Sequence, residues 1–263
     1  MQPYVGITDF MDVKEVVAMA KVFNSHEPGN FQYKLHVGVM MSYKTLHGWP
    51  TKWTDAFPRN EVIASIFDGD YADDVMYCLH YADSKKRPEL WKSLRLAIIY
   101  GGKYMHALQL DLVWPDRHQI FAAITDSGIH PEIILQIGKQ AFEEIDNNPR
   151  ALVDRLGKYA YDEVLHRVLL DKSMGRGIGM DAPSLIPFIE AIQNDLPDIG
   201  ISIAGGLGPE TYQLSEPVMQ SHNNISVDAQ GKLRESGNAL DPVNWDMAGQ
   251  YLIKMINMID KYQ

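Results

Sequence analysis

The chain has 263 residues, carries a formal net charge of −10 and is 46% hydrophobic. This length suits one domain with a large buried core, and the negative charge argues against nucleic acid or an anionic membrane as the main partner. The single cysteine excludes a disulfide framework and a zinc cluster built from several cysteines.

The first residues, Met-Gln-Pro-Tyr-Val-Gly, lack the basic and apolar regions of a secretory signal peptide. No uncharged run approaches the roughly 20 residues that a membrane span requires. We therefore expect a cytoplasmic protein with no membrane partner. The oligomeric state is left open, with a homodimer as one option.

Apolar segments typical of strands alternate with segments of helical periodicity along the whole chain. Strands are predicted at residues 4–10, 34–41, 74–80, 107–114, 131–138 and 164–171, and the seventh and eighth begin at Ile199 and Ile225. Helices are predicted after a cap at Asp12, and then at 60–67, 90–100, 117–125, 140–145, 150–159, 182–194, 209–219 and Trp245–Tyr262.

Eight strand–helix units predict a parallel sheet that closes into a single-domain (β/α)8 barrel, or TIM barrel, over residues 1–263. An open, doubly wound sheet is the competing fold. That fold usually has a Gly-x-Gly-x-x-Gly turn after its first strand. The corresponding stretch here, residues 8–12, contains no glycine.

Two glycine turns near the C-terminus predict a phosphate site. Gly205 and Gly206 follow the seventh strand, and Pro209 suits the first turn of a helix, so the backbone could form an anion cradle. The eighth strand repeats the plan with Asp228 and Gly231, and the loops after strands seven and eight often hold phosphate in barrels. Taken alone, either turn could simply be a tight connection. Together they favour a phosphorylated small molecule as the ligand.

Polar residues that end the apolar runs should meet at the C-terminal face of the barrel, where barrel enzymes carry out their chemistry. Asp171 is the leading candidate for a general acid, because a partly desolvated carboxyl can have a raised pKa. Asp111 is a second candidate, and Gln109 shares its strand face as a hydrogen-bonding group. A solvated acid at a strand end is an equally good interpretation of Asp111. The full set of such residues is Asp9, Ser42, Asp83, Asp111, Lys139, Asp171 and Asp228.

Histidine and lysine give weaker predictions. His80 could be a base or a metal ligand, but the nine histidines show no His-x-His or His-x-x-His spacing, so a hydrogen-bonded core histidine is favoured and no metal or other cofactor is expected. Lys139 could form a Schiff base, although a solvated lysine is the commoner case. Lys172 and Arg176 could add positive charge near a bound anion, or could be surface charges.

Short segments in barrel order then show a resemblance to a known family. They are Val5-Gly-Ile-Thr8, Gln109-Leu-Asp111, Leu169-Leu-Asp171 with Gly175-Arg-Gly177, Ala204-Gly-Gly-Leu207 with Pro209-Glu210, Val227-Asp-Ala-Gln-Gly231, and Asp241-Pro242. In this order they resemble phosphoribosylanthranilate isomerase, the TrpF-type ribulose-phosphate-binding barrel of tryptophan biosynthesis.

The resemblance implies an isomerase that opens an aminoaldose ring and converts it to a ketose by acid–base chemistry. It gives the acid role to Asp171 and phosphate binding to the backbone around Gly205, Gly206, Gln230 and Gly231. It places Gln109, Gly175, Arg176, Gly177 and Asp228 around the substrate.

Val5 stands where the family has its catalytic cysteine base, so the base would have to be relocated, with Asp9 and Asp111 as candidates. Two alternatives stay open: a phosphosugar lyase or aldolase that uses Lys139 or Lys172, and a non-catalytic barrel that binds a phosphorylated metabolite.

Overall fold

The computed structural model describes residues 1–29, 31–68, 74–172 and 179–262. Its strands pair in parallel and in sequence order, and the last pairs with the first, so the sheet closes into a (β/α)8 barrel. The strands are β1 (Tyr4–Thr8), β2 (Lys34–Ser42), β3 (Val75–Ala82), β4 (Ala107–Asp111), β5 (Glu132–Ile137), β6 (Arg167–Leu170), β7 (Gly200–Ala204) and β8 (Ile225–Ala229).

Helices surround this sheet. They are α1 (Val13–His26), α2 (Tyr43–Leu46), α3 (Asn60–Ile66), α4 (Leu90–Gly101), α5 (Arg117–Ser127), α6 (Lys139–Glu143), α7 (Pro149–Tyr161), α8 (Ile186–Asp195), α9 (Glu216–Ser221) and α10 (Trp245–Tyr262). Short 3-10 helices occur at Ala182–Ser184, Tyr212–Ser215 and Gly231–Leu233. Within the described residues, no helix is long and apolar enough to cross a bilayer.

Strand alternation divides the core into two layers. The residues that point outward, such as Val5 and Ile7 of β1, join the large cluster between sheet and helices. The residues that point inward form a smaller apolar cluster inside the barrel: Tyr4, Met76, Cys78, Ala107, Ile134 and Leu169. Strand parity therefore fixes which side chains can reach the interior and the mouth.

A buried arginine fills the lower part of the interior. Arg167, the first residue of β6, is 1% exposed and points inward. Its guanidinium donates to Ser226 Oγ at 2.8 Å and to the Gln2 carbonyl at 2.7 Å, and lies 5.0 Å from the centre of the Tyr4 ring. These contacts close the N-terminal end of the barrel with a charge that is hydrogen-bonded on two sides.

The cap predicted for the first helix is confirmed. Asp12 caps α1 in a capping box with Glu15, whose Oε2 accepts from the Asp12 N–H at 3.0 Å. The other carboxylate oxygen of Glu15 accepts from Trp245 Nε1 at 3.0 Å, which ties α10 to the start of α1.

The predicted helix at residues 209–219 is wrong in its first half. Pro209 and Glu210 lie in a turn, a 3-10 helix covers Tyr212–Ser215, and α9 begins only at Glu216. Pro217 stands in the first turn of α9, where its missing N–H leaves no hydrogen bond unmade. A helix start directly after Gly205 and Gly206, and the helix dipole that it would supply there, are therefore absent from this described segment.

A substitution at Gly38 tests how tightly the barrel interior is packed. A Cβ at this position would lie 2.5 Å from Thr8 Oγ1 and 3.0 Å from His80 Nε2. We expect Gly38→Ala to lower the free energy of unfolding by about 1–3 kcal/mol through overpacking, measured by chemical denaturation.

Gly157→Ala is the matched control, because a Cβ on this residue of α7 would meet nothing within 4 Å. It should raise stability by about 0.5–1 kcal/mol, since alanine is the better helix former. Unchanged stability in Gly38→Ala would contradict the described packing of Thr8 and His80 around the glycine.

Candidate functional site

Carboxyl groups from four strand ends meet at the C-terminal mouth of the barrel. Asp9 follows β1, Asp111 ends β4, Asp171 follows β6, and Asp228 lies in β8. Asp171 and Asp228 act electrostatically on one another, and Asp171 also acts on Asp111. The strand ends thus bring together four of the carboxyl groups predicted from the sequence. Their catalytic role stays a prediction.

Asp111 and Asp228 have pKa values close to neutral. Burial, and then the charge of Asp171, raises the pKa of Asp111 to about 6. Burial raises the pKa of Asp228 to about 7, against the lowering effect of its hydrogen bond from Thr8. Asp111 is open to water at the mouth, but the surrounding protein still crowds its carboxyl. Both groups can therefore exchange protons near neutral pH.

Thr8 positions the deeper of these carboxyl groups. Its Oγ1 is 3.2 Å from each carboxylate oxygen of Asp228, whose side chain is 7% exposed. The absence of a side chain at Gly6 leaves the space that Asp228 occupies: a Cβ there would lie 2.6 Å from Asp228 Oδ1. Thr8 shares the inward face of β1 with Gly6, and no motif in the sequence marks it as a site residue.

Asp9 is engaged in a buried ion pair. Its Oδ2 accepts from Arg234 Nη2, both side chains are 3% exposed, and its Oδ1 accepts from Gln230 Nε2 at 3.1 Å. Arg234 also donates to the carbonyls of Gln230 and Asp241, at 2.9 and 2.6 Å. Asp9 adopts a left-handed backbone conformation, with φ of 86°, to make this contact. It ties the β1 loop to the β8 loop, which leaves it poorly suited to be the relocated base.

The two predicted phosphate loops lie side by side. Gly205 and Gly206 have φ of 129° and 64°, a conformation that favours glycine. A Cβ on Gly208 would lie 2.7 Å from the Lys232 carbonyl oxygen, so the β7 loop packs directly on the β8 loop. Gly231 begins the 3-10 helix Gly231–Leu233. Phosphate binding by these loops stays a prediction.

Of the other residues predicted to surround the substrate, Gln109 is described by the structure and the segment 175–177 is not. Gln109 is buried inside the barrel and donates from Nε2 to Gln136 Oε1 at 3.1 Å. It therefore lies below the mouth carboxylates on the face it shares with Asp111. Gly175, Arg176 and Gly177 lie outside the described residues.

Neither candidate lysine points into the mouth. Lys172 Nζ donates to the Ser184 carbonyl at 3.2 Å and lies over the rings of Phe142 and Phe188, at 4.5–5.0 Å from their centres. The side chain follows the strand parity, which directs the neighbour of Asp171 outward into the helix layer. Lys139 is in the first turn of α6 and forms a 3.4 Å ion pair with Glu143. This placement argues against Lys172 as a positive charge beside an anion in the mouth.

His80 lies in the core, as its spacing favoured, but one of its ring nitrogens is not hydrogen-bonded within the described chain. Its Nε2 is buried without a hydrogen-bond partner among the described residues, and so are both ring nitrogens of His36. Cys78 lies beside them in the interior. Sequence reasoning missed His36 and Cys78. The available signal was the alternation Cys78-x-His80, which puts both side chains on the inward face of β3.

Val5, which stands where phosphoribosylanthranilate isomerase has its catalytic base, points away from the barrel mouth. Val5 packs between the sheet and the helices, whereas Tyr4, Gly6 and Thr8 face inward. A side chain at position 5 therefore cannot reach a ligand in the mouth, whatever its chemistry.

The buried Asp9–Arg234 ion pair predicts that removing one partner lowers the free energy of unfolding more than removing both. Arg234→Met should cost about 3–5 kcal/mol of unfolding free energy, because it leaves a buried carboxylate uncompensated. Adding Asp9→Asn should recover part of that loss in a double-mutant cycle measured by denaturant unfolding.

Arg150→Met is the control, because the Arg150–Asp195 ion pair is exposed, with side chains 71% and 42% accessible. It should change stability little. Equal losses in the two arginine variants would contradict the structural role of Arg234.

The raised pKa of Asp111 predicts a pH-dependent contribution to stability. Because the folded-state pKa of about 6 lies above the ordinary 3.8, protonation favours the folded chain. The contribution is complete below the ordinary value and disappears as the pH rises through about 6. Asp111→Asn should therefore lose less stability than the wild type over that interval, measured as Tm against pH.

Asp55→Asn, at an exposed loop position, controls for the loss of one negative charge. If both variants follow the same pH curve, the crowding of Asp111 does not affect its protonation.

Comparisons with known proteins show the fold and nothing finer. No protein-family model matches the chain, and no curated protein matches it. The chain is similar to a solved structure of a variant carboxyl transferase domain of Rhizobium etli pyruvate carboxylase with pyruvate, with a TM-score of 0.55 and 12% identity. The match covers 100% of this chain and 49% of that one, so this chain spans about half its length. The protein is therefore a TIM barrel of a kind that distant barrel enzymes share.

Proposed function

We propose that this barrel binds a phosphorylated sugar across its mouth and isomerises it by proton transfer between carboxyl groups. The observation that carries the proposal is the convergence of carboxyls at the mouth, with the pKa of Asp111 raised to about 6 and that of Asp228 to about 7. A group with a pKa near the working pH is the most effective general acid or base. Perturbed acids gathered in a barrel mouth are typical of active sites.

Asp171 and Asp111 are the pair best suited to the chemistry. An aldose–ketose isomerisation needs one group to give a proton to an oxygen and another to take a proton from the neighbouring carbon. The charge of Asp171, after burial, raises the pKa of Asp111. Asp111 is also open to solvent, and hence to a ligand. Asp228 lies deeper beneath Thr8, and Asp9 is held by Arg234.

The β7 and β8 loops supply the phosphate half of the proposed site. Gly205 and Gly206 adopt glycine-favoured conformations there, and the adjoining loop carries Lys232 beside Arg234, which is paired with Asp9. Phosphate binding by these loops relies on local backbone N–H groups and one lysine, since the chain as a whole carries a charge of −10. This division keeps the anion on the β7–β8 side and the proton transfer on the β4–β6 side.

The resemblance to phosphoribosylanthranilate isomerase supports the phosphosugar class more than that one substrate. Val5 lies behind the sheet, so the base of that family has no counterpart at its expected place. We expect turnover of phosphoribosylanthranilate itself to be weak. The positions of Lys139 and Lys172 argue against the Schiff-base alternative.

Ligand-induced stabilisation tests the phosphate half. Inorganic phosphate and sugar phosphates should raise the Tm, whereas the matching unphosphorylated sugars should not, because a ligand stabilises the folded state that it binds. Gly206→Ala should remove this shift, since φ of 64° strains any residue with a Cβ.

Gly128→Ala is the matched control, with φ of 69° at the end of α5 and open space around its Cβ. It should lower the basal Tm by a similar amount and keep the phosphate shift. A shift that survives in Gly206→Ala would move the anion away from the β7 loop.

Asp171→Asn tests the proton-transfer half. With a sugar phosphate that is turned over, the variant should lose at least about 100-fold in kcat and bind the ligand nearly as well, because the amide keeps the shape and loses the titrating proton. Parallel losses of affinity and rate would make Asp171 a binding residue. Ligand binding without turnover in the wild type, across a panel of aldose and ketose phosphates, would favour a non-catalytic phosphometabolite-binding barrel.

A further inference from the structure

Three metal-binding side chains meet inside the barrel, below the mouth carboxylates. The ligand atoms of His36, Cys78 and His80 all lie within 4.8 Å of one another. These side chains are 0%, 0% and 5% exposed. They come from the inward faces of the neighbouring strands β2 and β3, so two paired strands hold the whole group.

Three ring nitrogens of this cluster have no hydrogen-bond partner within the described chain. They are both ring nitrogens of His36 and Nε2 of His80, and all three are buried. Cys78 Sγ makes a 3.9 Å contact with the Leu79 carbonyl and has a hydrogen bond with the Gln109 backbone. A buried polar group without a partner destabilises the fold, and a neutral imidazole always presents one donor and one acceptor. Several such groups aimed at one space point to a ligand that binds them together.

We propose that His36, Cys78 and His80 bind a single borderline-soft divalent transition metal ion of the zinc class. Two imidazoles and a thiolate are the donors that such ions prefer, whereas Mg²⁺ and Ca²⁺ prefer oxygen ligands. On binding, the Cys78 thiol releases its proton to solvent and its sulfur bonds the metal. No redox step is involved.

The space around the cluster is compatible with such a site. In a tetrahedral zinc site the ligand atoms lie about 3.4–3.6 Å apart, so separations that are at most 4.8 Å must shorten by up to about 1 Å. Glycine at positions 38 and 6 lets the rings lie where they do, since a Cβ on either would lie 3.0 Å from His80 Nε2 or His36 Nδ1. The His36 ring is stacked on Tyr4 at 4.3 Å between centroids, which fixes the plane of one ligand.

Asp228 supplies the charge that the site needs. A divalent ion with one thiolate keeps a net positive charge, which is unfavourable in a dry interior unless an anion faces it. Asp228 Oδ1 and His36 Nδ1 border the same gap beside Gly6, at 2.6 and 3.0 Å from the place of its missing Cβ. Asp228 can thus be the fourth ligand or the balancing anion. The buried cation of the interior, Arg167, donates its hydrogen bonds to Ser226 and Gln2.

Cobalt substitution and X-ray absorption test the proposal directly, with the full chain purified in a phosphine reductant so that no free thiol is added. One Co²⁺ per chain should bind and give a thiolate-to-cobalt charge-transfer band. The chain has one cysteine, so the band would assign the sulfur to Cys78. X-ray absorption of the zinc-loaded wild type should show one sulfur at about 2.3 Å and nitrogen ligands at about 2.0–2.1 Å.

Cys78→Ala and His80→Gln should each weaken Co²⁺ binding by at least about 100-fold, and the alanine variant should lose the charge-transfer band. His118→Gln is the control, because His118 is exposed on α5 and should bind Co²⁺ as the wild type does. Far-UV circular dichroism without metal shows whether the variants are folded.

Absence of the charge-transfer band and of a sulfur shell in the wild type would overturn the proposal, and would leave buried water as the partner of these nitrogens. That measurement decides the question even if the cysteine variant does not fold. Co²⁺ binding that is lost in His118→Gln but kept in Cys78→Ala would also overturn it, because the metal would then sit on surface histidines.

Discussion

Closure of the sheet is the constraint on which the rest of this molecule depends. In a closed barrel every second residue of each strand must share one narrow interior, and the other residues must pack on the helices. In most barrels that interior is filled by apolar branched side chains. Here it also holds His36, His80, Arg167 and Asp228, so its packing cannot be separated from its hydrogen bonding and its charge.

The polar groups of the interior differ in their environment according to their level along the barrel axis. At the N-terminal end, Arg167 donates from its two terminal nitrogens to Ser226 and to a main-chain carbonyl, and it fills the base of the barrel. At the C-terminal end, carboxyl groups reach water and the pKa of Asp111 moves toward neutrality. Between them, three imidazole nitrogens of the histidine–cysteine cluster are buried without a hydrogen-bond partner among the described residues. In this middle layer the two histidines lie beside a thiol, with one ligand atom of each residue within 4.8 Å of the others, which is an arrangement that a single ligand could satisfy.

Strand–helix alternation was enough to predict the architecture, because period-two and helical patterns determine which segments can pair and which can cover the sheet. The same parity explains why Leu169 lies on the inward face of β6 and why Lys172 points outward. The helix expected after Gly206 failed because Pro209 fits a turn as well as a helix start, and local sequence does not distinguish the two.

The histidine–cysteine cluster could not be found by spacing along the chain. His36 and His80 are brought together by the register of β2 on β3, in which His36 pairs with Met76 and Met40 with His80. Register is a property of the paired strands, so a search for ligands a few residues apart does not detect this kind of site. The carboxylates were predictable because the ends of parallel strands always meet at one face.

The order of strands around the mouth limits how a phosphorylated ligand could lie in it. β6 pairs with β7, and neighbouring strands are about 5 Å apart, so Asp171 lies close to the β7 loop. β4 is two strands beyond β6, which places Asp111 further around the mouth. A ligand anchored by phosphate on the β7–β8 side would therefore pass Asp171 first and meet Asp111 with its distal part. If Asp171 and Asp111 both transfer protons to or from the ligand, its reacting carbons must lie between them, in front of β5 and several bonds from the phosphate. This geometry favours an extended sugar phosphate with its carbonyl remote from the phosphate over a compact three-carbon one.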